Sequence, residues 1–325
     1  MKNSVLVALL LIGGLAAQSR LSVPRDTSFT VRSVFEKERT RFPFIKIVRD
    51  SLPENVTEER NVVYRIIGER ELHLDIFLPE KNEQSAHPAI LLVHGGGWRS
   101  GDKSHLVPMA QQLAARGYVA ATVEYRLSPE AKYPVAVHDL KAALRWLRAN
   151  ADEYTIDPEK IAILGCSSGA QLATLVGFTS GLAIFDDNSE NREFSAAVQA
   201  VVNIDGIVDF TSEYVRQFED DLRKNPSAAG AWFGGRYHEK TELWAEASPL
   251  RYVNASSPPI VFVNSAIPRF HAGRDEMIDQ LDSLGIYSEV HTLPDTPHPF
   301  WLFHPWFNPT VEIVSDFFVK SIKNK

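Results

Sequence analysis

Three short segments hold residue types suited to nucleophilic acyl transfer, in an order that fits one site. Leu164-Gly165-Cys166-Ser167-Ser168-Gly169-Ala170 sets a serine in a G-x-S-x-G pentapeptide, between the apolar run 161–164 and a stretch of helical composition at 170–176. A serine at a strand-to-helix turn is held tight and exposed, and the flanking glycines avoid collisions with the neighbouring strand and helix. Ser167 is therefore the candidate nucleophile. Cys166 precedes it at a position pointing away from the tip, so it reads as a buried, inert thiol. His94-Gly95-Gly96-Gly97-Trp98 follows the apolar run 89–93. Glycines there let backbone N–H groups face a substrate oxygen, and the amides of Gly96, Gly97 and Ser168 are the candidate oxyanion donors. Each such donor is worth roughly 3–4 kcal/mol in the transition state.

The third segment is Pro294-Asp295-Thr296-Pro297-His298-Pro299-Phe300, after a strand-like run at 287–293 and before a final helix at 310–323. A histidine in that loop can take the serine proton, in the chain order serine, acid, histidine. His298 fits, with His304 as its competitor; His94 reads as structural. The acid is less direct. After the strand at 260–263 no carboxylate appears until Asp275, whereas Asp205 follows the apolar run 198–204 in an Asp-Gly turn. Both positions lie at the carboxyl edge of a parallel sheet, where open α/β folds keep their sites. Asp205 is favoured, with Asp275, Asp295 and Asp209 as alternatives. A turn aspartate bonding local amides is the plain competing role for Asp205.

The elements that must hold these loops are legible. Strand signals at 62–67 and 72–77 alternate like an antiparallel edge pair. Apolar strands at 89–94, 119–124, 161–164, 198–204, 260–263 and 287–293 then alternate with helices, the clearest at 135–150. The expected fold class is α/β, an α/β-hydrolase fold with a mainly parallel central sheet, helices on both faces and a small cap-like insertion. At 325 residues, 44% hydrophobic and 23% charged, the chain suits one large domain. The expected organisation is a signal peptide at 1–19, a loosely packed extension at 20–60 and a catalytic domain at 61–325. Residues 210–252 read as a cap insertion or an ordinary surface excursion.

A net charge of −7 without a basic run argues against nucleic-acid binding, though local arginines can still bind an anion. Lys2, the apolar run 5–15 and the small residues after it fit a cleaved export signal, so no stable membrane insertion is expected once it is removed. The location implied is periplasmic or secreted in a bacterium. The single cysteine forms no internal disulfide, and no Cys/His cluster has metal-ligand spacing, so neither metal nor cofactor is expected.

Glu124-Tyr125-Arg126-Leu127-Ser128-Pro129-Glu130, Asp139, Asp157-Pro158-Glu159-Lys160 and the serine turn together resemble the hormone-sensitive-lipase-like esterases of the α/β-hydrolase superfamily over residues 60–323. That resemblance implies ester hydrolysis through a serine acyl-enzyme, with Glu124 and Arg126 structural. The chain departs from the usual His-Gly-x-x-Asp acid motif, having the run 264–275 instead, and its histidine loop continues through Phe300-Trp301-Leu302-Phe303-His304-Pro305-Trp306-Phe307. These two segments resemble those of exported bacterial carbohydrate esterases of the pectin methylesterase type. The implied substrate is a plant polysaccharide or oligosaccharide bearing methyl-esterified galacturonate; acetylated glycans and small esters are the alternatives. Arg269, His271 and Arg274 are candidate carboxylate readers, since arginine binds carboxylates bidentately. Structural ion pairs with Asp275 or Glu276 are their competing role. Trp98 is a candidate pocket wall, and the aromatic run after His298 could stack on sugars or pack the last helix.

Overall fold

The computed structural model describes residues 26–80, 86–187 and 190–323; the expected signal segment lies outside them. Eight strands form one sheet: β1 (Val56–Ile67), β2 (Arg70–Pro79), β3 (His87–Val93), β4 (Val119–Val123), β5 (Ile156–Cys166), β6 (Ala200–Ile204), β7 (Ile260–Ser265) and β8 (Ser288–Leu293). Their order is β1-β2-β4-β3-β5-β6-β7-β8. β2 runs antiparallel to β1 and β4, and the other neighbours are parallel. The central strands read as apolar runs rather than alternations because both of their faces are covered.

Successive residues of one strand enter different cores. Leu91, Ile163, Val201 and Phe262 join α3 (Val135–Ala149), α4 (Ser168–Phe178) and α8 (Arg274–Ser283) on one face. Leu92, Leu164, Val202 and Val263 join α1 (Val31–Glu38), α2 (Val107–Ala114) and α9 (Phe307–Phe318) on the other. The α/β-hydrolase expectation holds. The carboxyl ends of β3, β5, β6 and β7 all open at one edge, which brings residues far apart in sequence into one site.

The segment preceding β1 is not loosely packed. Val34, Phe42 and Ile45 are buried. Phe42 meets Trp306 edge-on at 5.5 Å, and Lys46–Ile47 pairs antiparallel with Phe303–His304. At its start Asp26 binds Arg99 at 2.5 Å, and a reciprocal Thr30–Ser33 capping box fixes the beginning of α1. The segment therefore clamps two loops at the sheet edge, one after β3 and one after His298. The apolar interruption Arg41-Phe42-Pro43-Phe44 supplies part of the anchor.

Residues 210–252 carry α5 (Glu213–Glu219), α6 (Ala228–Phe233) and α7 (Thr241–Glu246). Trp232, Phe233 and Trp244 are buried and pack on one another, with Phe210 at their edge. Aromatic packing holds these short helices where their own length could not.

Candidate active site

β5 turns directly into α4 at Ser167, whose backbone has φ 56° and ψ −123°. The close crossing depends on two glycines. A Cβ on Gly165 would lie 2.0 Å from the Gly169 carbonyl oxygen, and one on Gly169 would lie 2.3 Å from the Val93 carbonyl oxygen. Those obstacles are backbone atoms of packed elements and cannot rotate away. Gly169→Ala is accordingly expected to destabilise the protein by about 3 kcal/mol, lowering the thermal midpoint by roughly 5–10 °C in a calorimetric scan. An unchanged midpoint would show that the turn can relax.

Three of the sequence candidates meet here. His298 Nε2 lies 2.7 Å from Ser167 Oγ, and His298 Nδ1 lies 2.6 Å from Asp205 Oδ2. Asp205 is fully buried at the end of β6, with φ 55°. Gly206 lets this end approach α4, since a Cβ there would fall 2.4 Å from that of Ala170. The carboxylate is held from β7: the Ser265 amide donates to Oδ1 at 2.9 Å and the Ser265 hydroxyl to Oδ2 at 2.7 Å. Asn264 approaches Oδ1 at 3.4 Å. These donors satisfy the oxygens of the buried carboxylate and fix its orientation. The imidazole lies flat on Phe270, ring centres 3.5 Å apart, with Trp301 edge-on at 5.3 Å.

Gly96 and Gly97 line a cavity of about 800 Å³ together with Ser167 and His298. The loop is locked from behind, where the Gly96 carbonyl accepts from the Ser100 amide and hydroxyl. Ser168 opens α4, so its N–H has no intrahelical acceptor, and the helix dipole favours negative charge at that end. The proposed oxyanion donors thus border the serine. His94 is buried behind them, its Nδ1–H directed to the Gly95 carbonyl at 2.9 Å and its ring stacked on Tyr125. His304 is paired in the small two-stranded ladder, away from Ser167. Asp275 is largely exposed and bound to Arg274. Burial pushes the Cys166 thiol well above its ordinary pKa, consistent with an inert group.

Several substrate-contact expectations are corrected. Trp98 is buried, stacks on Trp232 at 5.1 Å and donates to Gln171 at 2.8 Å. Its positive φ of 57° turns the side chain into the core, where it ties the glycine loop to α4 and α6. Arg274 donates to Asn264 Oδ1 at 3.0 Å, and the His271 Nε2–H donates to the Ser265 carbonyl at 2.7 Å. Both brace the donors of Asp205 rather than line the cavity. Arg269 does line it, paired with Glu219 at 2.7 Å and lying over Phe270. Phe300, Trp301, Phe303 and Phe307 belong to the core beneath α9.

Other cavity residues carried no signal in the sequence reading. Lys37 and Arg41 reach it from the N-terminal segment, and Tyr214 and Phe218 from α5. Among the described residues there is no group of histidine, cysteine and carboxylate side chains suited to a metal, and no helix long and apolar enough to cross a membrane.

The sheet order, the serine turn and the histidine after the last strand define an α/β hydrolase. Within that class the chain belongs to the BD-FAE family, which it matches over residues 74–287. It is 30% identical over 241 residues to the probable carboxylic ester hydrolase LipM of Mycobacterium tuberculosis, covering 70% of this chain and 53% of that protein. Arylacetamide deacetylase of Bos taurus is 29% identical over 128 residues, 37% of this chain and 31% of its own. The chain spans about half the length of the mycobacterial relatives it matches. Among solved structures, a truncated carbohydrate esterase from gut microbiota superposes with a TM-score of 0.69 at 24% identity, covering 84% of this chain and 98% of its own. Propionate-bound esterase Est2 of Thermogutta terrifontis gives 0.67 at 25% identity, covering 82% and 96%.

Proposed function

We propose that the protein is a serine esterase whose substrates are methyl esters of galacturonate residues in pectin. The observation that carries the esterase reading is the continuous relay Ser167 Oγ, His298 Nε2, His298 Nδ1 and Asp205 Oδ2, with contacts of 2.7 and 2.6 Å. Ser167 Oγ attacks the ester carbonyl as His298 takes its proton, and Asp205 orients the ring and stabilises the imidazolium. The oxyanion is held by the amides of Gly96, Gly97 and Ser168. Collapse breaks the carbonyl–methoxy bond, and the leaving oxygen takes the proton from His298 to depart as methanol. Water then attacks the galacturonyl–Ser167 ester with His298 again as base, releasing the free carboxylate and the serine.

The uronate assignment is supported by charge. Lys37, Arg41, Arg99 and Arg269 line the cavity against one lining carboxylate, Glu38, although the whole chain carries −7. Asp26 offsets Arg99, Glu219 offsets Arg269 and Glu38 offsets Lys37, so the local surplus rests on Arg41. Such a field favours a substrate with carboxylates beside the scissile ester. Export through residues 1–19 would bring the enzyme to such a polymer. The test is methanol and acetate release from methylated and acetylated pectin fragments, with Ser167→Ala as control. Serine-dependent methanol without acetate is expected; acetate without methanol would replace the methylesterase by an acetylesterase.

A further inference from the structure

We propose that the N-terminal segment builds a distal subsite, centred on Arg41 and Lys37, for the carboxylate of a uronate flanking the sugar under attack. The proposal rests on the uronate-ester reading and adds to it a binding element outside the BD-FAE match.

The geometry is that of a cationic row on the N-terminal segment that lines the same cavity as Ser167. Ser33 and Lys37 lie one turn apart on α1, and Arg41 follows in the turn beyond the helix end, where its amide bonds the Glu38 carbonyl at 3.0 Å. Ser33 to Lys37 spans roughly 6 Å at helical rise, and Arg41 extends the row past the helix end. Lys37 is 81% exposed at its side chain, with Glu38 its carboxylate neighbour among the described residues, at 3.5 Å. Arg41 lies over the Phe42 ring at 5.0 Å and has no carboxylate partner among the described residues. A guanidinium held on an aromatic face, lining a cavity and not spent on a structural ion pair, is suited to bidentate capture of a carboxylate.

The same cavity is lined by Tyr214 and Phe218, one helical turn apart on α5 with ring centres 5.3 Å apart. Arg269 lies over the Phe218 ring at 5.4 Å, so the exposed Tyr214 is the ring that offers a face to a sugar while the cations read the acid. The row is fixed rather than draped. The Asp26–Arg99 pair secures one end, and the ladder of Lys46–Ile47 with Phe303–His304 secures the other. A carboxylate meeting Arg41 is thereby placed relative to the Gly96 and His298 loops, to which the same segment is tied.

The test uses p-nitrophenyl acetate as reporter and unesterified trigalacturonate as competitor, on the whole chain. Trigalacturonate is expected to inhibit competitively, and increasingly weakly as salt is added. Its inhibition constant should rise about tenfold in Arg41→Ala and further in Arg41→Glu, whereas Arg41→Lys, which keeps the charge but loses the planar fork, should fall between wild type and Arg41→Ala. Lys37→Ala combined with Arg41→Ala should exceed either single change. Neutral cellotriose should not inhibit. The subsite is overturned if trigalacturonate fails to inhibit, if cellotriose inhibits equally, or if the Arg41 variants leave the inhibition constant unchanged. Methanol release measured on the same wild-type protein separates the two readings. Release with inhibition indifferent to Arg41 removes the subsite and keeps the methylesterase. Arg41-dependent inhibition without release removes the methyl ester as substrate and keeps the uronate site.

Discussion

Ser167→Ala is expected to lower kcat on activated esters by about a million-fold, with the protein still folded. The hydroxyl lies 2.7 Å from the base, on a residue lining the cavity bordered by the oxyanion loop. Alanine leaves that loop intact, so any residual rate reports on the oxyanion donors and substrate binding alone. Ser167→Gly should be equally inactive yet more stable. A side chain at φ 56° and ψ −123° costs roughly 1–3 kcal/mol, and glycine removes that cost. Loss of the hydrogen bond to His298 returns about 1 kcal/mol. The net gain should raise the thermal midpoint by roughly 2–4 °C. Strain held at the nucleophile explains both results together. An alanine variant within about tenfold of wild type would move the nucleophile elsewhere, and a glycine variant melting lower would show that the turn is relaxed.

The parts of this site that were legible in the sequence are those with a local cause. Gly165 and Gly169 flank Ser167 because backbone passes within contact distance on both sides, and that requirement is written into five consecutive residues. The parallel sheet was legible because strands buried on both faces become apolar runs. Asp205 could be placed from the Asp-Gly turn after such a run, although its partners could not. Asn264 and Ser265 occupy the strand end where an acid was sought, and they look like a loss until β6 and β7 are seen side by side. There they donate to the Asp205 carboxylate, so the acid and its supports have exchanged strands.

What escaped the sequence reading depends on long-range contact. Trp98 looked like a pocket wall because it ends the glycine run, but its direction is set by Trp232 and Gln171 in distant elements. Arg274 and His271 looked like ligand readers, and their use as braces is visible only against Asn264 and Ser265. The N-terminal segment read as polar and loose since only Val34, Phe42 and Ile45 of it are deeply buried. A few apolar residues at intervals give no clear period, yet they suffice to pin a short helix against an existing core. Lys37 and Arg41 become cavity residues only as a consequence of that pinning.

Asp205→Asn should lower kcat by about 10⁴-fold, with KM and the thermal midpoint changed far less. The substitution keeps the shape of a fully buried side chain, and its amide oxygen, at the Oδ1 position, can still accept from the Ser265 amide. Its NH₂ group would then face His298 Nδ1, where the carboxylate accepts now at 2.6 Å. That contact favours an imidazole with its proton on Nε2, which points at Ser167 Oγ and so cannot take the serine proton. It also removes the negative charge that stabilises the imidazolium in the transition state. A purely structural turn aspartate would show the reverse pattern, with stability lost and turnover per folded molecule retained. Asp275→Asn supplies the contrast, because Asp275 is 75% exposed at its side chain and its carboxylate meets Arg274 at the surface. Its removal should cost less than about 1 kcal/mol and leave kcat close to wild type. If Asp275→Asn were the inactive variant, the relay would have to pass through the loop after β7, and the hydrogen bonds converging on Asp205 would have no catalytic purpose.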